Sequence, residues 1–556
     1  MQDRAIIDSW FPADLLPPAH WEEHYTPREL PPGARVTRFA PSPTGSMHLG
    51  GLYVATLAQD LARRSGGVYL VRIEDTDKDR EVAGAAEEFA RIFRYFALEP
   101  DEGEQEGGRW GPYRQSDRAG IYLSYVRELV RGQRAYPCFC SPERLEDNAG
   151  QQRRSRSPLG YYGKWARCRS LSVREAGERI AAGEAYTVRL RCPAGLPGRV
   201  RFRDLVRGAL TMLDNGNDVV VLKSADAEGR RLPTYHLAHV VDDHLMRVNL
   251  VVRGEEWISS LPLHHQLHRA LGFRPPEYAH IAPLMKLDGS SRRKLSKRKD
   301  PESAAGFYEA AGYPAAAVAH YLRGLANSRV AGLATGRALA EPLRLAEMGA
   351  AGPMVDLLKL RSLSREYIAS LEPAQALAQL GDWAAGYAPE LLAVLRKHPD
   401  LALAAFEMAR RGNGTPRKDL ACWQEFTTAY GFCFPELHEM VDRPGDGRFG
   451  GLPGPAVSAL AADLAACYRH AGPAQDWFAV LRTVAERHGF APDVRAHRAD
   501  PGAYRGSIRD VANVVRVCLT GSRRSPDLFQ VAQSLGEEEV LRRLRPLATG
   551  APAGRC

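Results

Sequence analysis

The amino-acid sequence predicts an α/β protein with a parallel sheet in its first half, an insertion within that sheet domain, and an all-α second half. Three observations carry this prediction. Residues 34–77, ARVTRFAPSPTGSMHLGGLYVATLAQDLARRSGGVYLVRIEDTD, read as strand, loop, helix and strand, which is a βαβ unit. Mixed helix and strand character returns over 213–275 after a stretch of different texture at 133–212. From about residue 346 onward, nearly every segment carries apolar residues at helical spacing, with Gly and Pro between segments.

In chain order, residues 1–33 hold Pro12, Pro17, Pro18, Pro27, Pro31 and Pro32 beside Trp10, Phe11, Trp21 and Tyr25, and predict an extended arm with aromatic anchors. Residues 34–132 form the first half of the sheet domain. Apolar residues alternate over 35–40 as in a strand, Pro41, Pro43 and Gly45 stiffen a loop, and a helix runs from His48 to about Arg64. Gly66 and Gly67 stop it before a second strand at 68–73, and helices follow near 81–98 and 120–130.

Residues 133–212 are read as the insertion, with a strand near 185–190 and a solvated basic loop at 151–156. The sheet domain resumes over 213–275. A buried strand is expected at 219–222, a loop carrying His244 between 240–243 and 250–252, and a helix at 259–271. Residues 276–345 contain KLDGSSRRKLSKRKD, and 346–556 contain helices at 390–397, 401–410, 455–471, 476–488, 511–517 and 537–547.

Length and composition narrow the function classes. A chain of 556 residues suggests roughly three or four domains, and 44% hydrophobic content supports ordinary globular cores. No apolar run reaches the roughly 18 residues of a membrane span, and the start lacks a basic region followed by an apolar one. The expectation is a cytoplasmic protein without a membrane partner. The net charge of +9 fits a polyanionic partner such as nucleic acid. Nine cysteines, an odd number in a large chain, argue against a disulfide framework. Cys138 and Cys140 stand apart from the rest by their close spacing, with Cys168 downstream, and thiolates so placed suit tetrahedral Zn²⁺.

Two segments suggest phosphate chemistry. His48-Leu49-Gly50-Gly51 opens a helix after a glycine-containing loop, a ready anion site. Gly50 and Gly51 let an adenine or ribose approach the backbone, and His48 can donate to phosphate oxygens as they gain charge. Lys294-Leu295-Ser296-Lys297-Arg298 puts three cations on a short loop, suited to clamping a departing pyrophosphate. Each alone reads as an ordinary surface histidine or basic loop; the pair is far more specific.

Together these segments resemble the paired signatures of class I aminoacyl-tRNA synthetases, and the wording around them resembles the glutamyl-tRNA synthetase family. The segments that carry this resemblance are RFAPSPTG at 38–45, RIEDTD at 72–77, PTYHLA at 233–238, VVDDHLM at 240–246 and RGEEW at 253–257. PRKDL at 416–420 and LTGSRRSPDL at 519–528 extend it into the second half in its bacterial form. The resemblance implies a Rossmann-like catalytic domain, an inserted acceptor-binding subdomain and a helical anticodon-binding half. The implied enzyme is a monomer that uses ATP and Mg²⁺ to join L-glutamate to tRNA-Glu through a glutamyl-adenylate. Alternatives within the resemblance are a copy that also charges tRNA-Gln and a non-catalytic tRNA-binding paralogue.

The implied roles map onto this sequence residue by residue. Arg38 would pair with the glutamate side chain, since a guanidinium fork suits a carboxylate and rejects a neutral amide. Ala40 and Ser42 would line the same pocket, Glu74 would hold the ammonium, and Tyr235 and Arg253 would complete it. Trp257, Gly50, Gly51, Lys294, Leu295, Ser296 and Arg298 would contact ATP, and His48 and Lys297 would stabilise its phosphates. The implied zinc ligands are Cys138, Cys140 and Cys168. The family's usual final His is Ser170 here, so Tyr161 or Tyr162 is the substitute, Tyr162 being the residue taken. His239 stands where the family often has Asn, and Ser290–Arg293 lengthen the lysine loop. Asp242, Asp243 and His244 are expected to buttress the site as a loop, without binding metal. Arg410, Arg411, Arg417 and Lys418, with Arg523 and Arg524, are candidate RNA phosphate contacts.

Overall fold

The structure is a computed structural model that describes residues 2–193, 198–408, 410, 416–470 and 472–548. The predictions that fall on Arg411, residue 471 and Cys556 lie outside the described residues. The chain divides into two compact units, residues 1–307 with 319–356, and residues 308–318 with 357 onward.

The first unit is built on a six-stranded sheet. Its strands are β1 (Val36–Phe39), β2 (Val68–Val71), β5 (Arg199–Asp204), β6 (Gly208–Leu213), β8 (Leu250–Gly254) and β9 (Glu277–Ile281), in the order β2-β1-β8-β9-β5-β6. All neighbours are parallel except β5 and β6, an antiparallel hairpin at one edge. Every residue of β1 is buried, as expected of a parallel strand covered on both faces. Helix α3 (Leu49–Arg64) follows β1 and buries Leu49, Leu52, Ala55, Leu57, Ala58 and Ala62. Gly66, at φ +67°, ends it, and at Gly67 a Cβ would lie 2.0 Å from the Arg35 carbonyl oxygen, so only glycine lets β2 start beside β1.

A second sheet of β3 (Ala135–Cys138), β4 (Thr187–Leu190) and β7 (Val220–Leu222) is antiparallel throughout. Cys138 ends β3, and Cys140 leads from it into α6 (Pro142–Arg154). Residues 199–213, expected mostly within the insertion, instead extend the main sheet, and residues 220–222 pair into the small one. The basic stretch at 151–156 is not a loop: most of it closes α6, where Gln152 is buried and donates to the Gly160 carbonyl at 2.7 Å.

Three further expectations are corrected. The N-terminal arm is partly helical, with α1 (Gln2–Asp8) and α2 (Pro18–His24). Pro18 occupies the first helical turn, where its missing N–H costs nothing, and Ile7, Phe11 and Tyr25 are buried in the same cluster as α5 (Ala119–Arg131). Residues 240–244 belong to helix α8 (Tyr235–Leu245) and are not loop; the Val-Val pair that looks strand-like is buried inside this helix. The extra residues before the lysine loop build a hairpin of β10 (Met285–Asp288) and β11 (Ser291–Lys294).

In the second unit, every regular element among the described residues is helical. The helices predicted at 390–397, 476–488, 511–517 and 537–547 appear as Pro389–Lys397, Ala474–Arg487, Ile508–Thr520 and Glu537–Ala548. Phe406, Trp423, Phe426, Tyr430 and Phe434 form its aromatic centre. Among the described residues no helix is long and apolar enough to cross a membrane.

Candidate active site

The C-terminal ends of β1 and β8 and the start of α3 open onto a cavity of about 360 Å³. Ala40, His48, Gly50, Gly51, Arg253, Trp257 and Lys294 line it. This is the position at which open parallel sheets bind ligands. Ser42 is exposed in the β1–α3 loop and is not among the lining residues.

The two phosphate segments meet here although 251 positions separate Ser46 from Lys297, whose Nζ donates to the Ser46 carbonyl. Ala305 N donates to the Met47 carbonyl at 2.9 Å, and Leu295 N to the Leu284 carbonyl at 3.0 Å. Leu295 is buried, so its side chain anchors the loop rather than facing the cavity, while Lys294, Lys297 and Arg298 are exposed. Asp300 organises the loop: Arg293 grips it at 2.6 and 2.8 Å, Ser296 N donates to it at 3.0 Å, and Lys286 lies 3.1 Å away. Arg293 holds the Asp300 carboxyl well below the usual carboxylate range. That arginine comes from the residues expected only to lengthen the loop.

His48 caps α3. Its Nδ1 accepts from Gly50 N at 2.9 Å, which leaves the proton on Nε2. Burial, then Lys297 and Lys294, lower its pKa, so it is neutral at pH 7.

Beside the cavity lies a buried charge lattice. Arg38 Nε is 3.3 Å from both Asp243 carboxylate oxygens, and Arg72 Nη1 donates to Asp243 Oδ1 at 2.7 Å. Arg72 Nη2 donates to Glu74 Oε1 at 2.9 Å. Asp242 accepts from Arg118 at 2.7 Å, Gln115 at 2.8 Å and Tyr122 at 2.8 Å. Burial raises Glu74 above its ordinary range, more than Arg72 and Arg38 lower it; Asp243, also buried, is held below it by Arg38 and Arg72. An arriving ammonium would therefore find in Glu74 a carboxylate in need of positive charge.

Arg253 joins the lattice to the cavity. Its Nη1 donates to Tyr235 Oη at 3.3 Å, its Nη2 to the Trp257 carbonyl at 3.3 Å, and its Nε to His280 Nε2 at 3.0 Å. His280 in turn donates from Nδ1 to Asp204 at 2.6 Å. The Tyr235 and Trp257 rings are 4.4 Å apart. His239 lies within the lattice, its Nδ1 3.1 Å from Asp243 and 3.3 Å from Arg38 Nη2. Its Nε2 is buried without a hydrogen-bond partner, and burial, Arg253 and Arg38 keep the ring neutral.

Sequence reasoning missed as site residues Arg72, His280, Asp204 and His264, whose Nδ1 lies 3.4 Å from Arg253 Nη1, and placed Asp243 only as a loop buttress. Arg72 carried a signal, an arginine directly after a buried strand and two residues from Glu74; the histidines carried none, because the apolar helix face that holds His264 and the buried strand that holds His280 both predict core.

Cys138, Cys140 and Cys168 bring their sulfurs together, with Cys140 Sγ 3.7 Å from Cys168 Sγ. The nearby tyrosine is Tyr161 and not Tyr162. Tyr161 Oη is 3.4 Å from Cys138 Sγ and 3.3 Å from Cys140 Sγ, whereas Tyr162 Oη donates to the Pro158 carbonyl. A tetrahedral zinc with bonds of about 2.3 Å to sulfur and about 2.0 Å to oxygen requires edges of about 3.8 and 3.5 Å, so the donor set fits that ion.

Residues 35–336 match the family model "tRNA synthetases class I (E and Q), catalytic domain", and residues 506–548 match "Anticodon binding domain". The chain is 38% identical to the glutamate–tRNA ligase of Clostridium perfringens over 96% of its length and 98% of that protein. It is 36% identical to the enzyme of that name from Thermus thermophilus, covering 92% and 98%. A solved glutamate tRNA ligase from Elizabethkingia meningosepticum, in complex with its amino acid, superposes with TM-score 0.74 at 25% identity, covering 93% of this chain and 99% of that one. The fold is that of a class I tRNA synthetase catalytic domain followed by a helical half. Within that class, the chain belongs to the glutamate–tRNA ligase family.

Proposed function

We infer that this chain is a ligase that attaches L-glutamate to tRNA at the expense of ATP. The observation that carries the reading is the adjacency of two unlike half-sites: a buried arginine–carboxylate lattice, and a cavity where the His48 and Lys294–Arg298 segments converge. Arg38 receives the glutamate side-chain carboxylate. Its Nε is held by Asp243 and its Nη1 has no partner among the described residues, so the fork is both fixed and available. Glu74 takes the ammonium, and Tyr235 and Arg253 close the pocket. The α-carboxylate then attacks the α-phosphorus of ATP, and the 3′-terminal ribose hydroxyl of tRNA attacks the resulting adenylate.

Trp257, Gly50 and Gly51 hold the nucleoside, and His48 Nε2–H with Lys297 supports the charge on the phosphates in flight. No side chain needs to act as nucleophile; positioning and electrostatics suffice. Mg²⁺ supplies further positive charge to the phosphates. Among the cavity-lining residues the only carboxylate is Glu256, which suits an ion that arrives with the nucleotide. Zn²⁺ at Cys138, Cys140, Cys168 and Tyr161 would tie the small sheet to α6, a structural role. The helical half is proposed to hold the anticodon arm through residues such as Arg417, Lys418, Arg523 and Arg524.

Charging of purified tRNA-Glu and tRNA-Gln with glutamate tests the reading. Charged tRNA-Glu is expected, and a second signal on tRNA-Gln would mark a broader acceptor range. No charging of either, with Mg²⁺ and Zn²⁺ supplied, overturns it. Elemental analysis of the purified protein is expected to find one zinc per chain, and none in Cys168→Ser.

A further inference from the structure

The β5–β6 hairpin has two dissimilar faces. Val200, Phe202, Leu210 and Met212 point inward and pack with Tyr278 and Val251. The other face carries Arg199, Arg201 and Arg203, all exposed, and directly across the strand pair lie Leu213, Thr211 and Ala209. Successive arginines are two residues apart, which on a strand is a repeat of about 6.7 Å. None of the three forms an ion pair or a side-chain hydrogen bond among the described residues. Elsewhere in this unit some exposed arginines are paired, such as Arg153 with Glu146 and Arg230 with Asp226 and Glu228, and others, such as Arg154, Arg156 and Arg174, have no such partner among the described residues; what sets this row apart is that three unpaired arginines share one face of one strand.

Protection of a sheet edge does not account for this row. Edge-blocking charges belong on the edge strand, and that strand is β6, whose outward residues are uncharged. The row sits on β5, one strand inside, with small Ala209 and Thr211 beside it, so a broad and flat surface can approach all three guanidiniums. Evenly repeated single positive charges complement a polymer with evenly repeated single negative charges.

We propose that Arg199, Arg201 and Arg203 form a docking row for the sugar–phosphate backbone of tRNA, each guanidinium meeting a successive phosphate of one strand, with the Thr211 hydroxyl available to a ribose 2′-hydroxyl. The row lies on the catalytic unit itself and adds a grip there that is separate from any anticodon contact. It rests on the reading that tRNA is the acceptor, and it names a surface that the catalytic residues do not include. The contacts are to backbone, so they hold any tRNA and do not read sequence.

The test is the triple variant R199Q/R201Q/R203Q in the full chain. These side chains are exposed, so the melting temperature is expected to be unchanged. The KM for tRNA should rise about tenfold or more at physiological salt, with the KM values for glutamate and ATP unchanged. The plot of log affinity for tRNA against log salt should flatten by about two, because each lost phosphate contact removes about 0.7–0.9 from the slope. The triple Arg→Lys variant should keep most of the slope. R153Q/R154Q/R156Q removes the same charge from another exposed stretch and should change the slope little. If the wild-type protein charges tRNA and the Gln triple keeps its tRNA KM and salt slope, the row is overturned while the proposed function stands. Equal loss in the 153/154/156 control also overturns it, since net charge would then explain the effect. If the wild-type protein charges no tRNA, the proposed function itself fails. Binding of polyglutamate to the row, with tRNA affinity unaffected by the triple change, would assign the surface to an acidic protein and overturn the RNA reading.

Discussion

The two halves of the active site use charge in opposite ways. At the amino-acid end, Arg38, Arg72, Asp242 and Asp243 are all at most 4% exposed, and each is tied to another charge. At the phosphate end, Lys294, Lys297 and Arg298 are exposed on a loop held by Leu295 and Asp300. The difference follows from the tasks. Telling a carboxylate from an amide needs a guanidinium at a fixed place, and only a buried, mutually satisfied lattice fixes one. Supporting a phosphate that moves needs cations that can follow it, and exposed lysines keep that freedom.

The largest effects should separate the two ends cleanly. Asp243→Ala strands Arg38 as a buried charge and leaves Arg72 only Glu74 and Asp242, and about 3–5 kcal/mol of stability should be lost. A midpoint in urea equal to that of the wild type would show that the lattice is not structural. Lys297→Ala should do the reverse, leaving the melting temperature unchanged while kcat falls about 10²–10³-fold, the scale of removing one group that stabilises transition-state charge. A stability loss in Lys297→Ala, or near-normal turnover, would break the contrast.

This contrast was legible in the sequence on only one side. His48, Gly50, Gly51 and Lys297 sit in compact local segments, where spacing alone suggests chemistry, and the structure brings them together. The lattice is non-local. Arg38, Arg72, Asp243 and Arg253 come from β1, the segment after β2, α8 and β8, and no single window shows them to be neighbours. Residues 240–244 were misread because Val240 and Val241 satisfy the rule for a buried strand as well as that for a buried helix. Tyr161 and Tyr162 are adjacent in sequence, so only the turn of the backbone between them decides which meets the cysteines. The helical half was the most readable, since amphipathic periodicity and Gly/Pro breaks are local signals.

Acid should sharpen the same division. His236, His239, His264 and His268 surround the amino-acid end, and burial first, then neighbouring charges for most, lowers the pKa of each, to about 4 for His236 and His268. In the unfolded chain these rings take up protons near pH 6.5. Between about 6.5 and 4 the unfolded state thus binds more protons than the folded one. Their contribution is fully present above pH 6.5 and is lost as pH falls toward the folded values, by about 1.4 kcal/mol per pH unit for each such ring. Urea midpoints measured from pH 7 to 5 should fall steadily. Replacing buried His268 by Gln should make that decline shallower, and an unchanged slope would show that the ring does not hold off its proton.

The smallest expected effect reaches the amino-acid end from farthest away. Tyr25, in the N-terminal arm, donates its hydroxyl to the Gly111 carbonyl at 2.7 Å and accepts from Arg118 Nη1 at 3.3 Å. Arg118 holds Asp242, the neighbour of Asp243 on α8, and Glu22 of the same arm accepts from Tyr125 and lies 2.8 Å from His244 Nε2. The arm is therefore coupled to the helix that aims Arg38, and among the described residues it makes no hydrogen bond to the lysine loop. Tyr25→Phe keeps the ring and removes only the hydroxyl, so about 1 kcal/mol of stability should be lost. The informative reading is kinetic: the KM for glutamate should rise while that for ATP stays the same, because only the lattice loses a support. Equal shifts in both constants would mean that the arm steadies the whole sheet and does not favour one end of the site.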